Sequence, residues 1–320
     1  MFKGVPMNKW TTDNMGSQIG RTALITGGTS GVGLEVAREL ARHGARVIIC
    51  AEDVTEGEKA IANIHSGMKG AFVSYEQVDF ADLNSIKYFC EKVKVEYEEI
   101  HLLINDLDVH PSPKRIKSAQ GHELVFAKNY FAHFSITAQL FSLLENASDG
   151  RIIFQSAVEH KFGVLDFFDL DATLFYDPQK AYSQSKLAVQ IFARELDRRL
   201  RLTNLHIKSI PVHVGGVHTP VLSKLINYAF GQSPGQAALS TLFAATSIDA
   251  QSGHYYGPDG FAGRGIPHEV DCAEQAKSIY TAERLWDVSE TMTGIEFTLR
   301  DMSNVLPFQM RGSIRPETFI

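Results

Sequence analysis

Arg21-Thr22-Ala23-Leu24-Ile25-Thr26-Gly27-Gly28-Thr29-Ser30-Gly31-Val32-Gly33-Leu34 is the stretch that decides the fold. Arg21 to Thr26 reads as a buried strand, and a glycine-rich turn follows it. A helix is expected from Gly31 to His43, because Leu34, Ala37, Leu40 and Ala41 recur at helical spacing and Gly44 supplies a stop. Glycines in a strand–turn–helix junction let the backbone approach a pyrophosphate, which then rests on the positive helix N-terminus. The residues that would form this cradle are Gly27, Thr29, Ser30, Gly31, Val32 and Gly33. A tight turn with no ligand is the blander alternative, and the position between strand and helix weighs against it.

Outward from this stretch the pattern repeats. Strands are expected at Arg46–Cys50, Ala71–Asp79, His101–Asn105, Arg151–Gln155 and His206–Val212. Helices are expected at Thr55–Ile64, Asp82–Glu98, Glu123–Asn146 and Ala181–Arg201. Near-continuous apolar strands alternating with helices predict an α/β fold: one doubly wound, Rossmann-type domain with a central parallel sheet and helices on both faces. The domain is expected over residues 21–300, with an N-terminal extension at 1–20 and a tail at 301–320.

Bulk composition narrows the function. The formal net charge of −6 argues against nucleic acid or an anionic membrane as the main partner. Arg198, Arg199 and Arg201 sit late in a helical pattern and read as a solvated face rather than a phosphate stripe. The cysteines number three, an odd and sparse set that fits a reducing compartment and buried thiols. No CxxC or HExxH occurs, so no metal is expected. No signal-peptide core and no apolar run of about eighteen residues is present, which makes the cytoplasm the expected address, with no membrane span.

Tyr182-Ser183-Gln184-Ser185-Lys186 opens the helix after the fifth strand. The i,i+4 spacing stacks Tyr182 and Lys186 on one helix face. A phenol with a pKa of about 10 is a poor base at neutral pH, and a fixed ammonium beside it would favour the phenolate. Tyr182 could then take or give a proton while hydride moves at a nicotinamide.

The spacing TGxxxGxG followed by YxxxK resembles the short-chain dehydrogenase/reductase family, over about residues 10 to 300. The similarity is greatest to its retinol-dehydrogenase-like and DHRS-type subgroup. Trp10-Thr11-Thr12-Asp13, Tyr255-Tyr256-Gly257-Pro258-Asp259-Gly260 and Leu285-Trp286 carry it at the two ends. The resemblance implies that Lys186 also holds the cofactor ribose and that Asn129 supports a proton-relay water. It implies that Asp79 and Phe80 lie at the adenine, and that Asn105, Val217 and Thr219 belong to the cofactor site. NADP-users of the subgroup carry arginine where Cys50-Ala51-Glu52-Asp53 has Glu52. A carboxylate there would repel a 2′-phosphate and accept from a ribose diol, so NAD is the expected cofactor in preference to NADP.

Three stretches depart from the family. Ungapped alignment to Tyr182 puts Ala157 where the family has its catalytic serine. Ser156 is one residue off, and neighbouring strand residues face opposite ways. Ser156 stays a candidate catalytic residue only if a bulge or an early strand end turns it inward. The family's Asn-Asn-Ala-Gly reads Asn105-Asp106-Leu107-Asp108, and its Pro-Gly after the sixth strand reads Val214-Gly215. Loss of one preorganised donor costs about 2.7–4 kcal/mol, roughly 100- to 1,000-fold in rate.

The expected function is therefore an NAD(P)-dependent oxidoreductase that interconverts an alcohol and a carbonyl on an apolar small molecule. Phe162, Leu165, Phe167, Phe168, Leu174, Phe175 and Tyr176, together with apolar residues of 221–230, would flank its substrate. The alternative is a catalytically impaired cofactor-binding protein, favoured by Ala157, Leu107 and Asp108. A third reading, a serine hydrolase on an α/β sheet, is a poor one for lack of a GxSxG elbow. A homodimer is an open option, and the sequence does not name the oligomeric state.

Overall fold

The computed structural model describes residues 10–215, 232–260 and 264–299. Among the described residues the strands form one sheet of eight in the order β3-β2-β1-β4-β5-β6-β7-β8. They are β1 (Thr22–Thr26), β2 (Arg46–Ala51), β3 (Val73–Gln77), β4 (Leu102–Asn105), β5 (Arg151–Gln155), β6 (Lys208–Val212), β7 (Tyr256–Pro258) and β8 (Pro267–Glu269). All neighbours pair parallel except β7 and β8, which are antiparallel. The expected parallel sheet thus holds at the centre and ends in an antiparallel edge. The short Tyr256–Pro258 and Pro267–Glu269 runs gave no periodic signal.

Successive residues of a strand point to opposite faces, and both faces here are covered. Leu24 and Ile48 enter one apolar core with Phe89, Phe134, Phe192 and Trp286. Ala23, Ile25, Val47 and Ile49 enter the other with Val36, Leu40, Leu242 and Phe243. Helices α1 (Gly31–Arg42), α2 (Val54–Gly67) and α7 (Pro234–Thr246) cover the second face. The first face is covered by α3 (Leu83–Glu96), α5 (Ala132–Asn146), α6 (Pro178–Leu200) and α8 (Ile279–Thr293). Cys50, Cys90 and Cys272 are free and buried.

Two expectations need correction. The polar leader is not all extension: Trp10 is buried and meets Phe243 edge to face at 5.5 Å. Met15 joins the same core, and two isolated apolar residues are too little for a periodicity reading. The helix expected over Glu123–Asn146 is interrupted. A short α4 (Leu124–Phe126) passes into a π-helical turn at Ala127–Phe131 before α5 begins. The insertion of such a turn is common at functional sites, and this one contains Asn129. The arginine cluster at the end of α6, read as a solvated face, is paired: Arg198 and Arg199 bind Glu195, and Arg199 lies 3.9 Å over the Trp286 ring.

His133 on α5 is buried, with its Nε2 3.1 Å from the Thr26 hydroxyl. Burial, helped by the Lys186 charge, pushes its pKa down from 6.5 to about 3. The folded chain keeps this imidazole neutral while the unfolded chain protonates it. Its contribution to stability is complete above pH 6.5 and is lost as pH falls toward 3. The slope is about 1.4 kcal/mol per pH unit. His133→Asn should flatten the acid limb of stability, measured by urea midpoints between these pH values, by that slope. An unchanged limb would show that His133 titrates normally.

Candidate active site

The site lies where β1 has β2 on one side and β4 on the other, at the C-terminal strand ends. Open α/β sheets bind ligands in this crevice. The glycine loop occupies it. Gly27 and Gly31 have φ of +71° and +56°, which glycine adopts without strain. A Cβ on Gly33 would stand 2.6 Å from the Gly27 carbonyl, so the third glycine is needed for packing. A Cβ on Gly31 would meet nothing within 4 Å. Ser30 is the N-cap of α1 but makes no side-chain cap bond, so the first N–H groups of that helix stay available to an anion. These features fit a dinucleotide pyrophosphate.

At the end of β2, Glu52 forms an ion pair with Lys128 at 2.7 Å and accepts from the Phe80 amide at 3.3 Å. Asp79 is exposed beside it. The Phe80 side chain belongs to the core, so its contribution there is its backbone. Asn105 is fully buried and donates to Thr137 at 3.2 Å, tying the end of β4 to α5. Val217 and Thr219 lie outside the described residues.

Four sequence-predicted residues converge on the next part of the site. Asn129 donates to the Val109 carbonyl at 3.1 Å and to Ser185 at 3.2 Å, and accepts from the Val109 amide at 2.8 Å. It therefore clamps the loop after β4 to α6. Lys186 is fully buried, with Nζ 3.3 Å from the Gln155 carbonyl and 3.0 Å from Asp108 Oδ1. The Tyr182 hydroxyl donates to Asp108 Oδ2 at 3.0 Å, and His110 stacks on its ring at 5.4 Å. Ser156 is buried and donates to the Lys186 carbonyl at 2.9 Å.

Two corrections follow. Ser156, one residue beyond the end of β5, spends its hydroxyl proton on the α6 backbone, so it has none to give a substrate oxygen in this arrangement. The Lys186 ammonium does not pull Tyr182 toward the phenolate. Its Nζ stands 5.6 Å from the ring centroid, while a carboxylate touches the hydroxyl itself. The nearer charge dominates. Burial first, then Asp108 and Glu159, push the Tyr182 pKa well up. Sequence reasoning treated Asp108 only as added bulk and charge. It also missed Lys128, for which no local signal existed, since its partner is 76 residues away.

Comparison with known proteins agrees with this geometry. A family model for short chain dehydrogenases matches residues 21–227. The chain belongs to the short-chain dehydrogenase family. It is 34% identical over 304 residues to mouse retinol dehydrogenase 14, covering 86% of each chain. It is 35% identical over 284 residues to bovine retinol dehydrogenase 12, covering 87% of this chain and 88% of that one. A crystal structure of an uncharacterised Mycobacterium paratuberculosis protein superimposes with a TM-score of 0.78 at 32% identity, over 91% of this chain and 99% of that one. Family membership carries a general activity, the NAD(P)-dependent interconversion of alcohols and carbonyls.

The glycine geometry separates packing from binding. Gly31→Ala adds a methyl that only a ligand would meet, plus a left-handed backbone cost of about 1–2 kcal/mol. It should weaken NADH binding, followed by nicotinamide fluorescence, by at least about tenfold while the chain stays folded by circular dichroism. Undiminished affinity would remove this loop from the site.

Proposed function

We propose that this chain is an NAD(H)-dependent oxidoreductase acting on an apolar alcohol and its carbonyl, with Tyr182 as the proton-transferring group. The observation that carries the reading is the convergence of the Tyr182 hydroxyl and the Lys186 ammonium on one carboxylate, one helical turn apart on α6. A bound nicotinamide dinucleotide supplies or accepts the hydride. The glycine loop and the α1 N-terminus bind its pyrophosphate, and Lys186, whose ammonium has three protons, donates to a ribose hydroxyl. Tyr182 exchanges the proton at the substrate oxygen.

The apolar substrate class rests on two supports. Phe162, Phe168, Leu174 and Phe175 between β5 and α6 expose 81%, 92%, 85% and 70% of their surface. The relatives are named for retinol, an apolar alcohol. Preference for NAD rests on Glu52, whose carboxylate Lys128 and the Phe80 amide hold at the ribose end of β2. The Lys128 charge moderates the repulsion of a 2′-phosphate without removing it.

A second reading, cofactor binding without turnover, is favoured by Ala157. No hydroxyl stands at that position to polarise the substrate oxygen, so turnover should be slow. Ala157→Ser should raise kcat on apolar secondary alcohols or ketones, up to roughly 100-fold, with little change in KM, since the new bond strengthens as charge develops. Tyr182→Phe should abolish turnover and leave NADH affinity within a few-fold. Turnover of the phenylalanine variant at the wild-type rate would overturn the assignment.

Cofactor choice has its own test. NADH should bind more tightly than NADPH, Lys128→Ala should widen the gap, and Glu52→Arg should reverse it, in paired fluorescence titrations. Tighter NADPH binding by the wild-type chain would refute the preference.

A further inference from the structure

We propose that Asp108 is the terminal proton acceptor of this site, taking through the Tyr182 hydroxyl the proton that leaves the substrate alcohol. The inference rests on the oxidoreductase reading above and assigns a role to the residue that departs most from the family pattern.

The geometry is that of a relay. The one proton of Tyr182 points at Asp108 Oδ2, 3.0 Å away. A hydroxyl that donates its proton still has lone pairs to accept another. The other Asp108 oxygen faces Lys186 Nζ at 3.0 Å, inside a site where Tyr182 is 7% exposed and Lys186 is not exposed at all. The carboxylate is therefore held between the two groups rather than swinging in solvent. Asn129 fixes the next residue, Val109, through both its amide and its carbonyl, so the Asp108 main chain is held as well.

A phenolate would face the Asp108 carboxylate directly, which the burial of the site makes costly. Transfer through the phenol avoids that state. In the oxidative direction the substrate O–H bond breaks and its proton joins the Tyr182 oxygen. The Tyr182 O–H bond breaks and that proton joins Asp108 Oδ2. The substrate carbinol carbon loses its hydrogen with the electron pair, as hydride, to an oxidised nicotinamide dinucleotide. The substrate leaves as a carbonyl, Tyr182 is neutral before and after, and Asp108 becomes a carboxylic acid beside the Lys186 cation. The reductive direction runs these transfers in reverse.

Other charged groups face the pair. Asp106 lies on the same loop, fully buried, and burial raises its pKa well above the carboxylate range. His133 on α5 is neutral at any working pH. Glu159, on the 3-10 segment Val158–Phe162, and His110, stacked on the ring, complete the set.

The test uses the full chain with Asp108→Asn, which keeps the shape and cannot accept a proton at the nitrogen, and Asp108→Gly, which leaves Tyr182 and Lys186 alone together. Two readouts are taken: oxidation of a panel of apolar alcohols with NAD, and phenolate absorbance with Tyr182→Phe as the blank. The proposal expects Asp108→Asn to lose at least about 100-fold in kcat with NADH affinity within a few-fold. It expects Asp108→Gly to keep turnover that now climbs with alkaline pH as a phenol ionises. Without any turnover, the Tyr182 phenolate should be absent in the wild-type chain at about pH 10, where a free phenol is half ionised, and present in Asp108→Gly. Asp108→Asn turning over as fast as wild type, or faster, would overturn the relay and make Asp108 an inhibitory contact, leaving the oxidoreductase reading intact. No turnover by any chain, Ala157→Ser included, would overturn the oxidoreductase reading and the relay with it.

Discussion

The hydroxyl of Thr26 holds the site together. It accepts from the amides of Asp106 at 2.9 Å and Leu107 at 3.0 Å, and lies 3.1 Å from His133 Nε2. These bonds tie the end of β1, where the glycine loop begins, to the exit of β4, where the loop carrying Asp108 begins. They also reach α5, just beyond the π turn that carries Asn129. Asn129 then fixes Val109, and Asp108 closes the circuit to Tyr182 and Lys186 on α6. The glycine loop, Asp108, Tyr182 and Lys186 are thus set by one buried network. Buried networks of this kind are rigid when satisfied and costly when broken.

That network decides the chemistry. In an isolated Tyr–Lys pair the cation would make the phenol a better base. Here a carboxylate stands on the hydroxyl and the cation is one step removed, so the phenol stays protonated. Ala157 removes a donor from the substrate side, a term of about 2.7–4 kcal/mol. Two changes at one centre would weaken a phenolate mechanism together. On the proposed relay, a neutral phenol that hands its proton to Asp108 needs no phenolate, and the two departures carry different weights: Ala157 would slow the reaction and Asp108 would reroute its proton.

Much of this was legible in the sequence because it is local. The glycine loop, the alternation of apolar strands with helices, and the Tyr182–Lys186 spacing each lie within a few residues, and the structure has them where the pattern put them. Ser156, named as a catalytic candidate, bonds instead to the Lys186 carbonyl, thirty residues away, which the local pattern does not show. What the sequence hid depends on distant partners. Glu52 meets Lys128, Trp10 meets Phe243, and Asp108 meets two residues of a helix more than seventy positions later. The π turn was hidden for another reason: one extra residue in a helical turn barely disturbs apolar periodicity over so short a stretch.

The central claim, that this site moves hydride and does not merely hold a dinucleotide, is tested most directly by isotope transfer. NADH carrying deuterium at the transferring C4 position would be incubated with the chain and a panel of apolar aldehydes and ketones, and the products read by mass spectrometry. The account predicts deuterium on the carbinol carbon of an alcohol product, formed slowly by the wild-type chain and faster by Ala157→Ser. Saturable NADH binding with no label transferred by either chain would contradict it.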